Sequence, residues 1–178
     1  MFKMKNILAM IASVFLVGGV LGCDQLMDDI AGDTGGGGSD ALVGQPAPAF
    51  TLRMMDGSLE DVSSHKGEPV VLAFWSPWCG YCKKQAPLLT GAHAAFKDKG
   101  VVFIGVATKG NYDNATDYMN QYGYLFSNGI DLSGELSRDY QVRGVPKTVF
   151  IDRNGNISDT HLGPISERKL TRAIKKIL

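Results

Sequence analysis

Cys79-Gly80-Tyr81-Cys82 places two thiols three residues apart, after an apolar run and at the head of a segment with helical periodicity. In the first turn of a helix that spacing puts both sulfurs on one side, within reach of a disulfide. The first sulfur then lies among unpaired backbone N–H groups at the positive end of the helix dipole, where a thiolate is stabilised. Cys79 is thereby the candidate nucleophile and leaving group, and Cys82, further into the helix, the candidate resolving thiol. The chemistry open to such a pair is dithiol exchange through a mixed disulfide. Zinc uses the same spacing but needs two further ligands. The remaining cysteine is Cys23, and His65, His93 and His161 show no paired spacing, so no metal site is expected. A purely structural disulfide is the other alternative, although so short a loop stabilises little by the chain-entropy argument.

The elements that must position the pair follow from hydrophobic pattern. Residues 69–75 form a continuous apolar run, which predicts a strand covered on both faces, as in a parallel sheet. Residues 80–99 turn helical, with Leu88, Leu89, Ala92, Ala95 and Phe96 sharing a face and Gly100 as the stop. Pro87 removes a backbone donor inside that helix and predicts a kink. Residues 101–107 read as a second buried strand, 114–122 as a helix, 125–130 as a short strand and 134–140 as another helix. Upstream, residues 50–53 and 58–61 form a hairpin around Asp56-Gly57. Downstream, residues 148–152 and 157–161 pair across Asn154-Gly155, and residues 167–178 form a helix with Ser166 as its N-cap. Strands alternating with helices make an α/β layered domain.

The 178 residues balance 18 Lys+Arg against 18 Asp+Glu and are 44% hydrophobic, which suits one domain and gives no polybasic footprint for nucleic acid. Three segments differ in composition. Residues 1–22 carry Lys3 and Lys5 and then an uncharged run ending in small residues, a secretory signal pattern. Residues 23–41 hold Cys23, five aspartates and the run Gly35 to Gly38, with little apolar surface to bury. Such a segment is a flexible tether reaching roughly 20 to 25 Å. Residues 42–178 contain the apolar patterning and must hold the function.

Two stretches resemble known families. Val20-Leu21-Gly22-Cys23 resembles the bacterial lipobox. That resemblance implies cleavage before Cys23, a lipid on its sulfur and a membrane-anchored lipoprotein. Asp24 then implies retention on the periplasmic face of the inner membrane in a Gram-negative cell. The second resemblance is to the membrane-anchored thioredoxin-like proteins of the TlpA/ResA type. It is carried by Gly44-Gln45-Pro46-Ala47-Pro48-Ala49-Phe50, by Phe74-Trp75 with Trp78-Cys79-Gly80-Tyr81-Cys82 and Pro87, and by Arg143-Gly144-Val145-Pro146 leading into Val149-Phe150-Ile151-Asp152. It implies a thioredoxin-like fold, a central mixed sheet flanked by helices with an N-terminal hairpin. It also implies a cis peptide before Pro146, with Val145 and Pro146 beside the sulfurs to dock an extended substrate. Trp75 is expected in the core, and Trp78, Gly80 and Tyr81 on the substrate-facing surface. The activity implied is extracytoplasmic thiol-disulfide exchange with protein substrates, as a reductant in cytochrome c maturation, copper-site assembly or thiol repair. No prosthetic group is implied beyond the Cys79-Cys82 disulfide, and re-reduction would need a membrane electron donor of DsbD or CcdA type.

Departures from that pattern matter. Thioredoxins carry a buried aspartate where this chain has Ala73, and ResA-like proteins a glutamate where it has Gln85. Both familiar acceptors for the Cys82 proton are missing, which leaves water, Lys83 or Lys84. Gly80-Tyr81 between the cysteines occurs in some disulfide isomerases, so an isomerase or oxidant is the first alternative. Lys147 is expected to bring its charge near the sulfurs. A peroxiredoxin-like peroxidase is the second alternative; Ser76 fits its pattern and Leu72 does not. A copper-binding chaperone module using Cys79, Cys82 and His161 is the third, against a reading of His161 as a solvated strand residue.

Overall fold

A computed structural model describes residues 40–124 and 126–178. The segments expected to be a signal sequence, a lipidation site at Cys23 and a tether as far as residue 39, together with Leu125, lie outside the described residues. In chain order the elements are β1 (Thr51–Arg53), β2 (Leu59–Asp61), β3 (Val70–Trp75), α1 (Gly80–Phe96), β4 (Val102–Thr108), α2 (Tyr112–Tyr122), β5 (Ser127–Asp131), α3 (Glu135–Asp139), β6 (Lys147–Ile151), β7 (Ile157–Leu162) and α4 (Glu167–Ile177). Among the described residues no helix is long and apolar enough to cross a membrane.

β1 and β2 pair antiparallel across a turn at Gly57, whose φ of 88° suits glycine. The other strands form one mixed sheet in the order β5-β4-β3-β6-β7. β3 runs parallel to β4, and β4 to β5, while β6 lies antiparallel to both β3 and β7. All of β3 is buried. The apolar run at residues 69–75 therefore records cover on both faces of a central strand, with one parallel neighbour and one antiparallel.

Strand alternation divides the core into two layers. Val71, Ala73 and Trp75 pack with Phe150 against Cys82, Ala86 and Leu89 of α1 and Leu170 and Ile174 of α4. Val70, Leu72 and Phe74 pack on the opposite face with Val149, Leu136, Tyr140 and the hairpin residue Leu52. Each large apolar side chain buried this way contributes roughly 1.5 to 3 kcal/mol, which secures the sheet as a rigid platform. α1 runs unbroken through Pro87 and passes into a short 3-10 turn that Gly100 ends at φ 79°. In α4 the apolar residues Leu170, Ala173, Ile174 and Ile177 face inward, and the Ser166 hydroxyl accepts the Lys169 amide as its N-cap.

Candidate active site

β3 ends at Trp75, and the chain crosses Ser76-Pro77-Trp78 before α1 begins. Trp75 is held from several sides. Its indole N–H donates to Asn128 Oδ1 at 3.0 Å, its ring stacks on Tyr118 and Tyr124, and its carbonyl accepts from the Thr108 hydroxyl at 3.2 Å. Gly105 is required beside it, because a Cβ there would sit 1.7 Å from Asn128 Oδ1. The Tyr118 hydroxyl is pushed up to about 12 by burial in this cluster. Trp75 is a core residue, as expected, and Trp78 is 71% exposed at the surface next to the cysteines.

Cys79 is the N-cap of α1. Its amide donates to Ser76 O at 3.0 Å, closing the turn, and its Sγ accepts the Cys82 amide at 3.1 Å. A sulfur in that position stands where an N-cap oxygen would, so charge developing on it meets a backbone donor and the helix dipole. Cys79 and Cys82 form a disulfide, with Cα atoms 5.2 Å apart. Cys82 is fully buried and Cys79 partly so, which makes the first sulfur the accessible one. Gly80 and Tyr81 between them are exposed.

The Val145-Pro146 peptide is cis, and the Val145 carbonyl oxygen lies 3.5 Å from Cys79 Sγ. The Pro146 carbonyl is held by the Gly163 amide at 2.8 Å. Beside Cys79 opens a cleft of about 570 Å³, bounded among others by Trp78, Lys109, Leu132, Arg143 and Val145. The sequence reading identified Trp78 and Val145 on this wall and missed the residues brought in by the loops after β4 and β5. Only the positive φ of Lys109, at 55° ahead of Gly110, marks one of those loops as shaped, and spacing alone does not reveal it.

Two expectations, for Lys147 and for His161, are corrected. Lys147 does not face the sulfurs. It points to the opposite face of the sheet, 3% exposed, where its ammonium donates to Asp40 Oδ2 at 2.8 Å, Tyr140 O at 2.8 Å and Gln141 O at 3.3 Å. Burial alone would raise the Asp40 carboxyl, but hydrogen bonds from Lys147, the Leu42 amide and the Thr160 hydroxyl hold it below the usual carboxylate value. Lys83 and Lys84 set their ammonium groups over the rings of Tyr122 and Tyr81, at 5.2 and 5.8 Å. His161 is not solvated; it is 7% exposed, and its Nε2 lies 3.1 Å from Pro164 O. Among the described residues no group of three or more His, Cys, Asp or Glu side chains could hold a metal ion. Gln85, at the position of the missing glutamate, is buried and satisfied. Its Nε2 donates to Thr148 Oγ1 at 3.3 Å and its Oε1 accepts the Ile165 amide at 3.2 Å.

Comparison with known proteins agrees with this geometry. The AhpC/TSA family matches residues 43–160. The chain is 36% identical over 168 residues to the thiol:disulfide interchange protein DsbE of Vibrio cholerae, covering 92% of this chain and 89% of that one. It is 29% identical over 135 residues to the thiol-disulfide oxidoreductase ResA of Bacillus thuringiensis, covering 76% and 78%. Among solved structures, a secreted Mycobacterium tuberculosis disulfide oxidoreductase homologous to E. coli DsbE superposes with a TM-score of 0.66 at 30% identity, covering 71% of this chain and 95% of that one. With a disulfide at the head of a helix, a cis-proline loop against its first sulfur and a mixed sheet beneath, the chain belongs to the AhpC/TSA family and is a thiol-disulfide oxidoreductase of thioredoxin-like fold, similar to DsbE and ResA.

Proposed function

We propose that the protein is a lipid-anchored, extracytoplasmic reductant of protein disulfides. Cys79 attacks the substrate disulfide, a mixed disulfide forms, and Cys82 displaces the reduced substrate. The observation that carries this reading is the placement of Cys79 Sγ, which accepts the Cys82 amide at the start of α1 and adjoins the Val145 carbonyl at the mouth of a cleft. Trp78, Gly80 and Tyr81 flank the sulfurs, and Val145 and Pro146 provide an edge against which an extended peptide lies. The disulfide itself is the redox group, so the reaction calls for no bound cofactor.

The lipobox at residues 20–23 supports anchoring through Cys23, and the Asp- and Gly-rich segment after it supplies reach. Outside the cytoplasm thiols are oxidised, so a reductant there depends on electrons delivered across the membrane by a donor of DsbD or CcdA type. Cytochrome c maturation, copper-site assembly and general thiol repair are the processes that consume such electrons. The reduction potential tests the direction of flow. The full-length protein is equilibrated in dithiothreitol or glutathione buffers and followed by tryptophan fluorescence, which Trp78 beside the disulfide reports. A reversible two-electron couple near roughly −270 mV supports the reductant, and one near roughly −120 mV assigns an oxidant or isomerase instead. Labelling with a radioactive fatty acid, lost in Cys23→Ser, tests the anchor; an unlabelled wild-type chain sinks it.

A further inference from the structure

Lys147 turns away from the sulfurs, so charge that meets a substrate there must come from other residues. Two loops supply it. The loop of Arg143, Gly144 and Val145 carries Arg143 close to the Val145 carbonyl, which lies 3.5 Å from Cys79 Sγ. The loop after β4 carries Lys109 to the segment that precedes Cys79: a Cβ on the neighbouring Gly110 would lie 3.5 Å from Pro77 Cγ. Lys109 and Arg143 are both exposed, and both line the cleft of about 570 Å³ beside Cys79.

The carboxylate that lines this cleft is already engaged. Asp131 is 8% exposed, and its Oδ2 accepts the Ser137 amide at 2.8 Å and the Ser137 hydroxyl at 2.6 Å. Glu135 and Arg138, which follow the wall residues Ser133 and Gly134, pair at 3.9 Å and offset one another. Among the described residues no carboxylate forms an ion pair with Lys109 or Arg143. Two exposed cations beside a reactive sulfur favour the opposite charge in whatever enters. Trp78 and Leu132, 71% and 64% exposed on the same wall, offer apolar contact that any peptide can use, so the cations are the selective part.

We infer that Lys109 and Arg143 set substrate specificity, and that the cleft takes an extended protein segment whose disulfide cysteine is flanked by Asp or Glu. The proposal rests on the exchange reading above and names its substrate class. The segment lies along Val145 with its sulfur at Cys79 Sγ, and its carboxylates meet the two cations at the rim of the cleft. Attraction at such exposed positions is modest for each pair, speeds encounter and is screened by salt. A segment with Lys or Arg beside its cysteine meets repulsion at the same two positions.

The test uses reduced full-length protein and three peptides alike except beside their single cysteine, where they carry Glu, Gln or Lys. Each cysteine is activated as a mixed disulfide with thiopyridine. The Cys79 thiolate bonds to the peptide sulfur, the peptide–thiopyridine S–S bond breaks, and the absorbance of released thiopyridine gives the second-order rate. At low salt the Glu peptide is expected to react about 10-fold faster than the Lys peptide, with the Gln peptide between them, as modest effects at two positions combine. The gap is expected to close in about 0.5 M sodium chloride. Charge reversal in Lys109→Glu with Arg143→Glu is expected to invert the order, and Lys109→Gln with Arg143→Gln to flatten it. A damaged fold would slow all three peptides together and cannot produce an inversion. Equal rates for the three peptides with the wild-type protein overturn the proposal. So does a wild-type preference for the Lys peptide, or a preference for Glu that survives charge reversal. Release of thiopyridine from none of the peptides by the wild-type protein defeats the exchange reading instead, so the two failures are distinct.

Discussion

Lys147 and Thr148 are consecutive, yet they build unlike polar sites on opposite faces of one sheet. Lys147 is closed off. Its ammonium is matched by one carboxylate and two carbonyls, and the left-handed backbone at Gln141, φ 48°, precedes the turn into the cis-proline loop. Thr148 accepts a hydrogen bond from Gln85 of α1 and pairs across the strands with His161. The first arrangement ties Asp40 to the sheet, and its full charge is compensated in place. The second joins the uncharged side chains of Gln85 and Thr148 by a hydrogen bond. A buried charge pair stabilises poorly but is expensive to break, whereas a single hydrogen bond between neutral side chains costs less to lose.

That contrast is tested first at the sulfurs, which lie on the face that α1 covers. Cys79→Ser removes the accessible sulfur and is expected to abolish disulfide exchange while the protein stays folded, measured as loss of insulin-disulfide reduction with an unchanged thermal midpoint of the reduced protein. Retained turnover would mean that Cys82 can act first despite its burial.

The opposite face is expected to affect stability and not reactivity. Asp40→Ala leaves the Lys147 ammonium with carbonyl partners only and is expected to cost about 2 to 3 kcal/mol, below the full penalty for orphaning a buried charge because those partners remain. Urea unfolding measures the loss, and the rate of Cys79 attack on a small disulfide should not change. A slower attack would show that the ion pair reaches the sulfurs after all.

On the sulfur-facing side the expected loss of stability is smaller. Thr148→Val keeps the volume, removes the hydroxyl that Gln85 donates to, and is expected to cost about 1 to 2 kcal/mol. Unfolding by urea checks that figure.

The smallest effect belongs to a site remote from both. His65 donates to Glu68 and Glu60, and although burial opposes its charge, these carboxylates raise it above the ordinary imidazole value of 6.5. A raised histidine contributes stability that is fully present below its unfolded value and is lost as pH rises through the folded one. The stability difference between wild type and His65→Gln should therefore be largest below about pH 6 and shrink as pH rises past neutrality. Denaturant melts at intervals of pH measure it, and a difference that grows with pH contradicts the assignment.

Much of this molecule was legible in the chain because it rests on local rules. The apolar run before the cysteines, the helical stripe through Leu89, the glycine stop at Gly100 and the N-cap at Ser166 each depend on residues a few positions apart. The fold also announced itself through motifs, including the cis-proline at Pro146, whose geometry composition alone would not have supported. The charge at the start of β6 was misread for a physical reason. A lysine next to the active-site proline looks close to the sulfurs along the chain, but side chains in a strand alternate, and at Lys147 the alternation points away.

The sequence by itself determined which atoms can do the chemistry, because a thiol pair at a helix start needs only spacing and a helix dipole to become reactive. It also determined the layered fold, through patterns that repeat every two or every 3.6 residues. The tertiary structure alone decided what stands behind that pair. Ala73, Thr148 and His161 are scattered along the chain, and only the register of three strands sets them in one row; Asp40 meets Lys147 across 107 residues for the same reason. Register is a property of paired strands, and no local pattern in any one of them states it.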